Sequence, residues 1–154
     1  MHDQRVLMTK LDGDARLPVY AHPDDAGADL AVIEDVTIEP GQRVTVGTGV
    51  GVAIPEGHAG FVYPRSGLAA RCGLSMVNSP GVIDAGYRGE VRICLINTDT
   101  RTPITLAKGD LVAQMVIAPI VRAEFVEVDH LPPSQRGTGG YGSSGGVAAW
   151  GATA

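Results

Sequence analysis

The chain is 154 residues long and 44% apolar, with 17 acidic and 12 basic side chains for a formal charge of −5. This describes one ordinary domain with material for a core, and it excludes both general disorder and two full domains. A mildly acidic total argues against a non-specific nucleic-acid binder, which needs a basic surface, and leaves room for a small anionic ligand where a few Arg side chains converge.

With 21 Gly and 10 Pro, frequent Val and Ile, and few helix-forming runs, short strands joined by tight turns are expected. Arg5 to Leu11 predicts a first strand, followed by a polar turn at Asp12 to Asp14. Val36 to Ile38 is a short alternating strand ended by Pro40-Gly41. Arg43 to Ile54 places Val44, Val46, Val50 and Val52 on one face, with glycines that permit twist or bulges. Pro55 to His58 reads as a hairpin turn into Ala59 to Tyr63. Leu74 to Val77 is a further short strand. From Arg88 to Asn97 the alternation is clearest, with Val91, Ile93 and Leu95 on one face and Arg92, Cys94 and Ile96 on the other. The last extended stretch runs from Leu111 to Val128, interrupted at Pro119. Many short strands with turns between them describe a jelly-roll type of sandwich or barrel.

One segment reads as helix. Ser66 is placed to cap Gly67 to Cys72, and Gly73 to end it. Cys72 and Cys94 define neither a disulfide framework nor a zinc spacing, and Cys94 reads as a small core residue. After Val128 come Pro132, Pro133 and the glycine-rich run from Arg136 to Gly146. Its composition fits a disordered tail, and also a mobile arm closing over a ligand.

Gly81 to Glu90 places two carboxylates, a Tyr and an Arg among three glycines, more than a plain hairpin needs. By spacing alone Asp84 fits an Asx turn better than a general base. Tyr87 is equally suited to covering a sheet end. Pro64-Arg65-Ser66-Gly67 opens the helix, where an N-cap with a solvated Arg and a phosphate site are both physically reasonable. Walker A and Rossmann glycine spacings are absent. Asp24, Asp25 and Asp29 suit loop surface or a hydrated magnesium ion. Gln114 interrupts an apolar strand and needs a partner. The four His form no ligand pattern, with His22 read as loop surface.

Five motifs in order carry a resemblance: Ala26 to Leu30, Pro64 to Ala69, Gly81 to Glu90, Gly109 to Gln114, and the Arg136 to Gly145 arm. Together they resemble the trimeric dUTP pyrophosphatase (dUTPase) family. The resemblance implies an all-β, jelly-roll-like sandwich or barrel of the β-clip kind, with one short helix and a flexible glycine-rich C-terminal arm. Residues 1–131 would form the β domain, and residues 132–154 an arm closing over a neighbouring subunit's active site. It implies a homotrimer with shared active sites, dUTP as substrate and Mg2+ as cofactor, without direct nucleic-acid or membrane contact.

Carried onto this chain, the resemblance makes Asp84 the base that activates water, with Gln114 and Arg65 as its catalytic companions. Ser66 and Gly67 would bind phosphate with Arg65. Asn78, Gly81, Val82 and Ile83 would read uracil, and Tyr87 would refuse a 2'-hydroxyl. Asp29 would hold magnesium through water, Arg136 would clamp the gamma phosphate, and Tyr141 would stack on uracil where many members carry Phe. The implied reaction is in-line hydrolysis of the alpha-beta anhydride to dUMP and pyrophosphate, supplying dUMP for dTMP synthesis and limiting uracil in DNA. A dCTP deaminase, or bifunctional deaminase-dUTPase, of the same fold is the nearest rival, and the Asn78, Asp84 and Tyr87 arrangement speaks against it. A non-catalytic trimeric nucleotide sensor is the other. The expected setting is reduced and cytoplasmic, since MHDQRVLMTK lacks a signal-peptide pattern and no downstream stretch suits a membrane span.

Overall fold

The structure, a computed structural model, describes residues 4–140. Ten strands and one helix follow in chain order: β1 (Leu7–Lys10), β2 (Ala28–Ala31), β3 (Val36–Ile38), β4 (Arg43–Ala53), β5 (His58–Pro64), α1 (Ser66–Cys72), β6 (Leu74–Met76), β7 (Gly81–Ile83), β8 (Glu90–Asn97), β9 (Ile104–Leu106) and β10 (Leu111–Pro119). The first four-stranded sheet has the order β1-β4-β8-β6 and the second β2-β10-β5-β7, while β3 and β9 form a separate ribbon. All pairings are antiparallel.

One core lies between these layers. Val46, Ile93, Leu95 and Leu74 enter it from the first sheet, Leu30, Val62, Val112 and Met115 from the second, and Ile38 and Ile104 from the ribbon. The expected all-β sandwich with one short helix is what forms. In β8 the period of two places Val91, Ile93 and Leu95 inside as expected. Cys94 differs from expectation: it lies on the opposite face and is half-buried.

The glycines of β4 do make an irregularity. Its register against β8 shifts between Gly47 and Gly51, with Gly49 at φ +67°. Polar groups meet the freed backbone: the Thr48 hydroxyl donates to the Val91 carbonyl at 2.7 Å, and the Gly49 N–H donates to Glu90 Oε1 at 2.8 Å.

Both expected hairpins are corrected. Pro55 to Gly57 is a tight turn, with Gly57 at φ +76°, but it joins β4 of one sheet to β5 of the other. Residues 84–89 likewise carry the chain from β7, paired with β5, to β8, paired with β4. Each corner moves the chain across the core. Ser66 is the first helical residue and not the cap: Arg65 takes the N-cap position, its carbonyl accepting the N–H groups of Leu68 and Ala69. Gly73 ends the helix in the left-handed conformation as expected, at φ +71°. The final strand stops at Pro119, so residues 120–128 extend no ladder.

The chain divides into two units, Met1–Arg122 and Ala123–Ala154. Within the second, residues 123–140 contain no regular strand or helix, and a local turn joins Gly137 N–H to the Ser134 carbonyl at 3.2 Å. No helix among the described residues is long and apolar enough to cross a membrane.

Candidate functional site

Most of the residues singled out from the sequence line two clefts. A polar cleft of about 380 Å³ is lined by Asp29, Arg65, Ser66, Gly67 and Gln114 among others. A second, of about 230 Å³, is lined by Asn78, Gly81, Val82, Ile83, Asp84 and Tyr87 among others. The two share no lining residue.

Sheet register builds the polar cleft. Gln114 on β10 stands opposite Asp29 on β2 and opposite Tyr63 on β5, so three adjacent strands present these side chains on one face. The Gln114 amide donates to the Pro64 carbonyl at 3.0 Å, which gives this polar residue the partner it requires. Beside it, a Cβ on Gly27 would lie 2.5 Å from Gln114 Oε1, so only glycine fits there without moving the amide. Arg65 leaves the end of β5 with its Nε 3.1 Å from Asp29 Oδ1 and its Nη1 donating to the Leu111 carbonyl at 3.0 Å. Two elements thus fix the guanidinium in place.

Asp24, Asp25 and Asp29 do not assemble into a metal cage. Among the described residues no three His, Cys, Asp or Glu side chains are grouped to hold a metal ion. Asp25 is used locally, its Oδ2 accepting the His22 backbone N–H at 2.8 Å. His22 is exposed loop surface as expected, and with Asp25 it borders the polar cleft.

The second cleft sits where the chain crosses between sheets. The Tyr87 N–H donates to the Asp84 carbonyl at 3.0 Å, closing a turn that holds both side chains exposed on one corner. The Tyr87 hydroxyl donates to the Glu90 carbonyl at 2.9 Å, and the ring lies against Gly89, where any Cβ would clash with it. Ile83 points into the core while Val82 points outward, leaving the β7 backbone as the wall beside Asn78. Arg88 does not pair with Glu90; its Nη1 donates to the carbonyls of Ala85 and Tyr87 at 2.6 and 2.7 Å. The Glu90 carboxylate is committed to Gly49, as described above.

Arg71, Val91 and Arg92 also line the clefts without having been singled out as site residues. For Arg71 the signal was available in its spacing of one helical turn from Gly67. For the others no sequence signal separates cleft from sheet face. Arg136 lies in the unit beginning at Ala123, where its Nε donates to the Gly139 carbonyl at 2.8 Å. Tyr141 lies outside the described residues.

Fold and clefts together define an all-β sandwich protein with two pre-formed clefts, one polar and one of mixed character, suited to a small ligand. The chain belongs to the dUTPase family, whose profile matches residues 13–145. It is similar to the deoxyuridine 5'-triphosphate nucleotidohydrolase of Thermobifida fusca, with 59% identity over 145 residues, 94% of this chain and 81% of that one. That of Leifsonia xyli subsp. xyli is 62% identical over 130 residues, 84% of this chain and 86% of the other. Among solved structures, the Staphylococcus bacteriophage 80alpha dUTPase with dUPNHPP is similar at a TM-score of 0.85 and 31% identity, covering 93% of this chain and 99% of that one. A mutant dUTPase of phage phi11 of S. aureus, solved for the coordination of a structural Mg(II) ion, gives a TM-score of 0.78 at 28% identity, covering 84% of this chain and 100% of that one.

Proposed function

We propose that the protein hydrolyses dUTP to dUMP and pyrophosphate. The observation that carries this reading is the 59% identity, over 94% of the chain, to a protein named for that reaction. The reading is supported by two clefts that differ in character, one polar beside Arg65 and one bounded by backbone and Tyr87, which hold the residues assigned to it other than Arg136 and Tyr141.

In this reading Asn78 and the β7 backbone take the uracil edge, and Tyr87 closes the space a ribose 2'-hydroxyl would need. Asp84 takes a proton from water as its oxygen bonds to the alpha phosphorus, and the bridging oxygen leaves with pyrophosphate. Arg65, Ser66 and Gln114 orient the phosphates, so positioning and charge neutralisation supply the acceleration, without a covalent enzyme intermediate. With no three-carboxylate cage among the described residues, the donor set suits a magnesium ion that takes most of its ligands from phosphates and water, with Asp29 meeting that water. Bound there, the ion would neutralise charge on the triphosphate.

A homotrimer completes the proposal. A single chain offers two clefts without a common wall, and sharing between subunits allows one site to use both kinds. The outward row Val82, Phe61 and Val116, in register across three strands, is apolar enough to suit contact with another copy. Residues 132–154 would serve as the arm, bringing Arg136 and Tyr141 over a neighbour's site.

Purified protein with magnesium should release pyrophosphate from dUTP far faster than from UTP, dTTP or dCTP. Ammonia release from dCTP would favour the deaminase instead, and no turnover of any nucleotide would favour a sensor. Against the deaminase, Glu90, the glutamate of the second cleft, is already engaged by the Gly49 N–H.

A further inference from the structure

Two guanidinium groups line the polar cleft, and they differ in how their charge is met. Arg65 has its Nε on Asp29 and its Nη1 on the Leu111 carbonyl. Arg71 stands one turn along α1 from Gly67 and folds back toward the helix start, its Nε donating to the Gly67 carbonyl at 3.1 Å. Its Nη2 lies 3.2 Å from where a Gly67 Cβ would be, so the bare glycine makes room for the guanidinium to lie along this wall. The described residues contain two salt bridges, Arg65–Asp29 and Lys108–Asp14, and Arg71 takes part in neither.

We infer that Arg71 is a phosphate-positioning residue, engaging the pyrophosphate portion of the substrate with the nitrogens left over from its Gly67 bond. The inference rests on the dUTP reading above for the substrate, though not for the chemistry of the ligand. With the charge of Arg65 met by a carboxylate, Arg71 adds a second guanidinium to the polar cleft, held by its bond to the Gly67 carbonyl and able to engage a polyanion. The nucleoside-side residues line the other cleft, so Arg71 should sense the phosphates beyond the alpha group and be indifferent to the base. As a basic residue in the last turn, Arg71 also complements the helix dipole, a structural part that the test must separate from phosphate binding.

Two substitutions separate these roles. Arg71→Gln keeps a donor for the Gly67 carbonyl but removes the charge, and Arg71→Lys keeps the charge. For Arg71→Gln we expect KM for dUTP to rise about tenfold, kcat to stay within about twofold, and inhibition by dUMP to stay unchanged. Arg71→Lys should recover most of the loss. An unchanged KM, or equal weakening of dUTP and dUMP, would overturn the inference, as would a loss explained by a lowered melting temperature. Calorimetric binding of inorganic pyrophosphate with magnesium, wild type against Arg71→Gln, tests the same residue without turnover. If wild-type protein fails to hydrolyse dUTP yet binds pyrophosphate through Arg71, the substrate reading falls and the residue's part stands. Equal binding by both proteins overturns the part assigned to Arg71.

Discussion

Asp29 Oδ1 lies 3.1 Å from Arg65 Nε, and Asp29 is at the same time the cross-strand partner of Gln114. One carboxylate therefore links the strand that carries the glutamine to the residue that caps the helix. Such a link makes the polar cleft a cooperative unit, in which the orientation of each group depends on the other two.

Removing that link should cost more function than stability. Asp29→Ala leaves the Arg65 guanidinium half-exposed with only the Leu111 carbonyl, so water meets much of the loss. A destabilisation of about 1 kcal/mol is expected, with kcat/KM for dUTP down by at least about tenfold. Thermal melts and steady-state kinetics on the same preparation check both; a large fall in melting temperature with normal kcat/KM would contradict the assignment.

Gly27 should act entirely through Gln114. Alanine there pushes on Oε1 of the amide and disturbs its 3.0 Å bond to Pro64. Gly27→Ala is expected to lower kcat/KM to nearly the level of Gln114→Ala, and the double variant should be no worse than either single one. Additive losses would mean that Gly27 matters for some other reason, such as its backbone.

Sugar discrimination should depend on Gly89 as well as Tyr87. A methyl group at position 89 displaces the ring that lies against it, so Gly89→Ala should raise the UTP to dUTP ratio of kcat/KM. Tyr87→Phe loses only the exposed hydroxyl bond to the Glu90 carbonyl, costing about 0.5 kcal/mol, and should keep the discrimination. A UTP panel on both variants decides the matter; loss of discrimination in Tyr87→Phe alone would move the selecting group from the ring to the hydroxyl.

The irregularity in β4 sets a stability test at Thr48, which lines neither cleft although its partner Val91 lines the second. Thr48 is buried and its hydroxyl is the donor to the Val91 carbonyl. Thr48→Val is close in volume and leaves that carbonyl without this donor, at a cost of about 1–3 kcal/mol. Chemical denaturation should show a lower midpoint with an unchanged slope, and the substrate preference should not move.

How much of this was readable beforehand depended on segment length. β8 announced itself because eight residues give four repeats of a period of two. Below that length other signals decided: β3, ended by Pro40-Gly41, and β6 were read at three residues each. Asp29 and Gly81 break the pattern of β2 and β7, and β9 went unread although its Ile-Thr-Leu alternates as β3 does. Apart from Asn78, the proposed site residues come from five ordered motifs, whose sequence does not show their partners. Asp29 meets Arg65 only because β10 lies between β2 and β5, a fact of sheet order and not of local sequence. The turns at Pro55 and Asp84 failed for the same reason, since hairpin and corner share their turn residues and differ only in where the next strand pairs.

The corner at residues 84–89 has a consequence for how the protein tolerates change. The polar cleft joins β2 and β10 of one sheet to α1, which links β5 of that sheet to β6 of the other, and the corner that carries Asp84 and Tyr87 is likewise tethered to both sheets. Substitutions that swell or shrink the core alter the spacing between the layers, and the corner must stretch or fold to follow. Altered side chains deep in the sandwich would therefore reach both proposed halves of the site through its two connections between the layers, α1 and the corner at residues 84–89.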